Sequence, residues 1–167
     1  MPNTYASLTV HAVFATKRRE PTIHALALAR LPHYVDGILT QLGCVCLAAG
    51  GFHDHLHLVV GYPPRIAVAS ILKHAKGGSA AWLRKTFDEM RGFAWQDGYA
   101  AYSVSPSRAE KAIRYVESQH EHHRVRSFEE EYLEFLKEGG IEYEERFVFE
   151  PGGYARGRED SPDGSRG

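Results

Sequence analysis

The sequence predicts an α+β fold in which an antiparallel sheet of about four strands carries helices packed on its faces. Three observations lead there. Short segments rich in β-branched and aromatic residues alternate unevenly with stretches of helical period, in the order β-α-β-β-α-α-β-α-α rather than in repeating β-α units. Two of the strand segments follow one another directly, as an antiparallel hairpin requires. The chain has 167 residues, 43% of them hydrophobic, which is enough to bury one sizeable core and too few for two full domains.

Each element has its own signal. The run SLTVHAVFAT places a first strand between Thr4 and Thr16, ended by Lys17, Arg18, Arg19 and Pro21. A helical segment follows over Ile23 to Leu42, where Pro32 is expected to start or kink a helix and Gly43 closes it. Cys44 to Ala49 and His55 to Val60 read as two strands joined near Gly50-Gly51, and Pro63-Pro64 stops the second. Ile66 to Phe87 has helical period, with a break expected at Gly77-Gly78 and Ser79 as cap of a second helix. Ala100 to Val104 supplies a fourth strand. Ser107 and Glu110 have the spacing of a capping box for a helix reaching about Arg126, and Ser127 with Glu130 repeats it for a shorter helix ending before Gly139-Gly140. The polar, Gly- and Pro-rich end marks 150–167 as a flexible tail on a domain spanning 1–149.

Net charge is −1, yet it divides unevenly: residues 1–127 carry +6 and all 10 histidines, whereas 128–167 carry −7. A basic body with an acidic end suits a phosphate-bearing partner on one surface, or simply a mixed surface. Cys44 and Cys46, two apart in one apolar run, are not expected to pair, which suits a reducing compartment. No basic region precedes an apolar core at the start, and no run of 18 apolar residues occurs, so neither a signal peptide nor a membrane span is expected. These features point to the cytoplasm.

The stretch GGFHDHLHLVV sets His53, His55 and His57 at alternate positions, so an extended chain presents them on one face. Imidazoles so placed can bind a metal or be satisfied by backbone, acid or solvent. They also suit a zinc hydrolase, although neither His-Glu-x-x-His nor a Cys-x-x-Cys pair is present. In the later helix, projection at 100° per residue groups Arg108, Gln119, His122 and Arg126 around Tyr115, while Ala112, Ile113 and Val116 point away towards a core.

Taken in order, these pieces resemble the HUH-type tyrosine transposases of small bacterial insertion sequences. The likeness covers about residues 5–149 and rests on Gly50-Gly51, Asp54-His55-Leu56-His57, Pro63-Pro64, Lys73 to Ser79, Trp95 to Tyr99 and Ser103-Val104. It continues in Tyr115-Val116 with Gln119 and His122-His123, then in Phe128 to Tyr132, Gly140-Ile141 and Tyr143. The resemblance implies a ferredoxin-like core, Tyr115 as nucleophile, and His55, His57 and Gln119 as ligands of a divalent ion, Mg²⁺ or Mn²⁺. It further implies cleavage and rejoining of single-stranded DNA with hairpin ends through a 5′-phosphotyrosine link, by a homodimer in which one subunit's tyrosine helix can complete the other's histidine pair. His53 has no fixed counterpart and is taken as a neighbour. Lys17, Arg18, Arg19, Lys73, Lys76, Arg84 and Lys85 are the expected phosphate contacts. Trp95 and Tyr99 are core or base-stacking residues, with core preferred. The competing readings are an enzyme acting on dispersed repeats, a non-catalytic or domesticated nucleic-acid-binding protein, and the zinc hydrolase.

Overall fold

The computed structural model describes residues 3–119 and 126–149. Four strands, β1 (Thr9–Ala15), β2 (Val45–Phe52), β3 (His55–Gly61) and β4 (Ala100–Ser103), form one antiparallel sheet in the order β2-β3-β1-β4. Helix α1 (Ala25–Gln41) links β1 to β2, and α2 (Val68–Thr86) links β3 to β4. This β-α-β-β-α-β order is ferredoxin-like. Among the described residues these are followed by α3 (Ala109–Glu117), α4 (Phe128–Glu138) and the short α5 (Glu145–Val148).

Alternation along the strands sends the two faces of the sheet to different layers. Val10, Ala12 and Phe14 of β1 and Leu56, Leu58 and Val60 of β3 pack with α1 and α2 in the main core. On the opposite face, Val13 and Ala15 meet Phe128, Tyr132, Phe135 and Leu136 of α4, and Ala48 and Val59 meet Val116 of α3. His11, His55 and His57 share that second face and are all buried. The two layers therefore separate hydrophobic structure from chemistry.

Several expectations need correcting. The hairpin does not turn at Gly50-Gly51: β2 runs through both to Phe52, which pairs with His55, so the turn is His53-Asp54. The turn is pinned from outside, because Thr16 N–H donates to the Asp54 carbonyl at 2.9 Å and Ile23 N–H to that of His53 at 3.0 Å. Helix α1 passes through Pro32 unbroken; the buried stripe of Ala27, Leu31, Val35 and Leu39 outweighs the hydrogen bond that proline forfeits. Helix α2 likewise crosses Gly77-Gly78. A Cβ on Gly78 would sit 2.8 Å from Ile38 Cδ1, so this glycine permits close packing on α1 instead of marking a break. Ser79 is no cap but a buried helix residue accepting from Trp95 Nε1–H at 2.9 Å. Trp95 is accordingly core, and Tyr99 packs against it from the margin.

Ser107 also fails as a cap, since it lies in a 3₁₀ turn, Pro106–Arg108, and α3 starts at Ala109 without a side-chain cap. The Ser127 cap holds, its Oγ accepting from Glu130 N–H at 3.3 Å. Arg126 stands before α4 and pairs with Glu134 at 2.6 Å. His122, His123 and the tail 150–167 lie outside the described residues. Both cysteines are free, and among the described residues no helix is long and apolar enough to cross a membrane.

Candidate metal and tyrosine centre

The site is built on β3. His55 and His57 leave the strand on one face, with Gly50 of β2 opposite His57 and with Val13 and Ala15 of β1 on the other side. Gly50 matters because of what lies above it. A Cβ there would come 2.5 Å from the Val116 carbonyl oxygen, so only glycine lets α3 cross β2 at this depth. That crossing brings Tyr115 over the histidines. Gly50→Ala is expected to push α3 outward and draw Tyr115 off the histidines, costing about 1–3 kcal/mol of stability. Thermal melting of the variant against the unaltered protein measures it.

Four buried side chains converge. His55 Nε2 lies 2.9 Å from Gln119 Oε1 and 3.7 Å from Glu131 Oε2, and His57 Nε2 lies 2.9 Å from Glu131 Oε1. The ligand atoms of His55, His57 and Glu131 all lie within 4.8 Å of one another. The Tyr115 hydroxyl donates to the same Glu131 Oε1. Phe128 stacks on the His55 ring at 4.4 Å, and Phe135 lies 5.9 Å from that of His57, so α4 excludes solvent from one side.

The remaining ring nitrogens are fixed by outer partners. His55 Nδ1–H donates to Asp54 Oδ1 at 2.7 Å. His57 Nδ1 meets His11 Nε2 at 2.9 Å, His11 Nδ1 meets the Tyr102 hydroxyl at 3.4 Å, and that hydroxyl donates to Glu138 at 3.4 Å. This chain is satisfied throughout when each ring donates outward, towards Glu138. Burial first, and His57 second, push the His11 imidazole down to about 2 against the opposing pull of Glu131, so His11 stays neutral. With both Nδ1 atoms turned outward, the Nε2 atoms of His55 and His57 face the oxygens of Gln119 and Glu131 at 2.9 Å, a spacing that a ring N–H bridges and that a cation bound by all four groups can replace. Two imidazole nitrogens, an amide oxygen and a carboxylate therefore fit a divalent metal.

The Tyr115 phenol is held well above its usual range, mainly by burial and then by the Glu131 charge and hydrogen bond, with Gln119 opposing. Without a metal it stays protonated. Tyr102 is pushed up to about 12, again by burial first and Glu138 second.

The structure thus brings together Tyr115, His55, His57 and Gln119, and adds Glu131, to which the sequence reading gave no role. His53 is elsewhere, its Nδ1–H donating to the Ile23 carbonyl at 2.6 Å. The seven cations do not converge. Lys17, Arg18 and Arg19 form a turn one residue beyond Ala15, the partner of His55 in the sheet, and Arg19 pairs with Glu129 at 3.1 Å. Arg18 and Arg19 take φ of 58° and 55°, uncommon for side chains with a Cβ. Lys73, Lys76, Arg84 and Lys85 ride on α2, in the layer away from the site. Among them Lys76 Nζ donates to the Gln96 and Gly98 carbonyls, and Arg84 to that of Phe93.

Comparison with known proteins defines the class as DNA transposases. The chain belongs to the IS200-like transposase family, whose sequence model matches residues 4–119. It is 24% identical over 119 residues to the ISDra2 transposase TnpA of Deinococcus radiodurans, covering 68% of this chain and 85% of that protein. The crystal structure of a candidate transposase from Deinococcus radiodurans is similar with a TM-score of 0.58 and 25% identity, covering 71% of this chain and 95% of the other. A REP-associated tyrosine transposase solved with a REP hairpin shares the fold, with a TM-score of 0.51 and 13% identity over 99% of this chain and 96% of the other. Membership of this family removes the zinc hydrolase from consideration.

Proposed function

We propose that the protein cleaves and rejoins single-stranded DNA with hairpin ends through a 5′-phosphotyrosine link at Tyr115, using Mg²⁺ or Mn²⁺. The observation that carries this is the shared carboxylate: Glu131 Oε1 accepts from the Tyr115 hydroxyl and lies 2.9 Å from His57 Nε2, joining nucleophile and metal donors in one buried cluster. His55, His57, Gln119 and Glu131 would hold the ion. Glu131 and Gln119 add the oxygen donors that two imidazoles lack for so hard a cation. When bound, the metal supplies positive charge against the phosphoryl oxygens and the developing phenolate.

The chain's own residues do the rest. As the Tyr115 oxygen bonds to phosphorus, its proton passes to Glu131 Oε1; the bond from phosphorus to the 3′ oxygen breaks, and that proton is handed on from Glu131 through solvent to the leaving 3′ oxygen, which departs as a free hydroxyl. The reverse attack rejoins an end. Asp54 and His11 hold the two imidazoles in the tautomers that leave Nε2 free. Lys17, Arg18 and Arg19, at the His55 end of the site, are read as contacts for the strand, and the exposed Lys73, Arg84 and Lys85 as contacts for hairpin phosphates on the far layer. Lys76 is read as a brace of the 96–98 loop. That a structural neighbour was solved with a hairpin supports this choice of DNA.

The homodimer is part of the proposal, with Tyr115 serving the histidines of its own chain, because phenol, Glu131 and His57 already meet within one chain. Mixing Tyr115→Phe and His55→Ala chains is then expected to restore no cleavage. Recovery would assign each tyrosine to the partner's histidine pair. The function itself is tested by incubating the protein with a hairpin-bearing single strand on a denaturing gel. Cleavage should appear with Mg²⁺ or Mn²⁺ and vanish in EDTA, whereas cleavage that persists in EDTA would remove the metal from the reaction.

A further inference from the structure

Tyr115 is reached from outside through a groove of about 580 Å³ between the end of β4, the start of α3 and the end of α4. Tyr115, Tyr102 and His11 line it within, Arg108 and Lys111 at its edge, and Glu138 at the side. We propose that this groove binds the single DNA strand on one side of the scissile phosphate, with Arg108 and Lys111 on the backbone and one base against Tyr102. The inference rests on Tyr115 as nucleophile and deepens it, since none of the seven cations expected from the sequence lines this groove.

Three observations carry it. The first is continuity. A phosphodiester in contact with the phenol must run its flanking nucleotides into open space, and α4 closes the side where Phe128 and Phe135 cover the histidines. The second is charge. Arg108 and Lys111 are exposed, stand three residues apart at the start of α3, and form no ion pair among the described residues, because Glu110 turns to Arg114 at 3.3 Å. Both are left open to a ligand's phosphates, against the single carboxylate of Glu138 in the lining. The third is the shape of the interior. Tyr102 packs on Phe135 with ring centroids 4.5 Å apart. Gly139 has no side chain because a Cβ there would stand 2.6 Å from Tyr102 Cδ1, so the glycine keeps that ring in place. A half-buried phenol braced in this way offers a platform for a base, and the volume suits a nucleotide-sized ligand.

The test is equilibrium binding of the full chain to a short unstructured single-stranded oligonucleotide in EDTA, followed by fluorescence anisotropy across a salt series. Each cation on a single-strand phosphate adds about 0.7 to the slope of log affinity against log salt. The double variant Arg108→Ala/Lys111→Ala should therefore lower the slope by about 1.4. Arg91→Ala, an exposed cation outside the groove, should leave it unchanged, and Tyr102→Ala should weaken binding about tenfold. A wild-type slope in the double variant, or an equal fall in Arg91→Ala, would overturn the proposal. The two readings fail separately: loss of slope with no covalent adduct in the wild type would keep the groove and sink the nucleophile, and an adduct with an unchanged slope would do the reverse.

Discussion

Tyr115→Phe is expected to lower strand cleavage by about a thousandfold or more and to abolish any covalent protein–DNA adduct. The substitution is clean because only the reacting oxygen goes. The ring keeps its contacts with His57 and His11, whose centroids lie 5.6 and 6.1 Å away. Glu131 loses the phenol as a donor but keeps His57 at 2.9 Å. The stability cost is that of one hydrogen bond to a charged group, about 1.5–3 kcal/mol. The folded variant can therefore be assayed at ordinary temperature, with melting curves to show that it is folded. Cleavage within tenfold of wild type would move the nucleophile to another residue.

His57→Ala is the second large effect, and it strikes stability and chemistry together. It removes a metal donor, takes the imidazole from the 3% exposed Glu131 carboxylate and takes the partner from His11. Removing one hydrogen-bond partner from a buried carboxylate and one from a buried imidazole costs about 1–3 kcal/mol or more. Cleavage should fall to background. Metal-induced stabilisation separates the two causes: Mn²⁺ should raise the melting temperature of the wild type and leave that of the variant unmoved. A variant that Mn²⁺ still stabilises would take His57 out of the metal site.

Much of this site was legible because its residues obey the periods of their elements. Alternation along HLHLVV assigned His55 and His57 to one face and Leu56 and Leu58 to the other, which is how β3 divides its side chains between two layers. The helical projection from Tyr115 placed Gln119 beside it and sent Val116 inward. Glu131 escaped because the run of three glutamates reads as a solvated helix start. Its signal was present: Phe128, Tyr132, Phe135 and Leu136 form an apolar stripe at helical spacing, and Glu131 falls inside it. A carboxylate in such a stripe has to find partners.

Glycines were the least legible residues, for a tertiary reason. Gly50 and Gly78 read as turn and break, yet each stands where another element comes too near for a Cβ: α3 over Gly50 and Ile38 of α1 over Gly78. Local propensity carries no information about such neighbours. The layer of each basic residue was equally hidden, since charge along a chain does not say which layer a helix will occupy. Helix α2 took Lys73, Arg84 and Lys85 to the far side of the sheet, while the less conspicuous Arg108 and Lys111 line the approach to Tyr115.

The most direct measurement is mass mapping of the covalent species. Wild-type protein is incubated with a hairpin-bearing single strand and Mn²⁺, the products are digested with nuclease and protease, and the peptide carrying a nucleotide phosphate is identified. The expected result is one modified peptide, with the phosphate on the Tyr115 oxygen joined to the 5′ end of the downstream strand. Modification of any other residue, or cleavage with no protein-bound phosphate, would contradict a tyrosine nucleophile poised on Glu131.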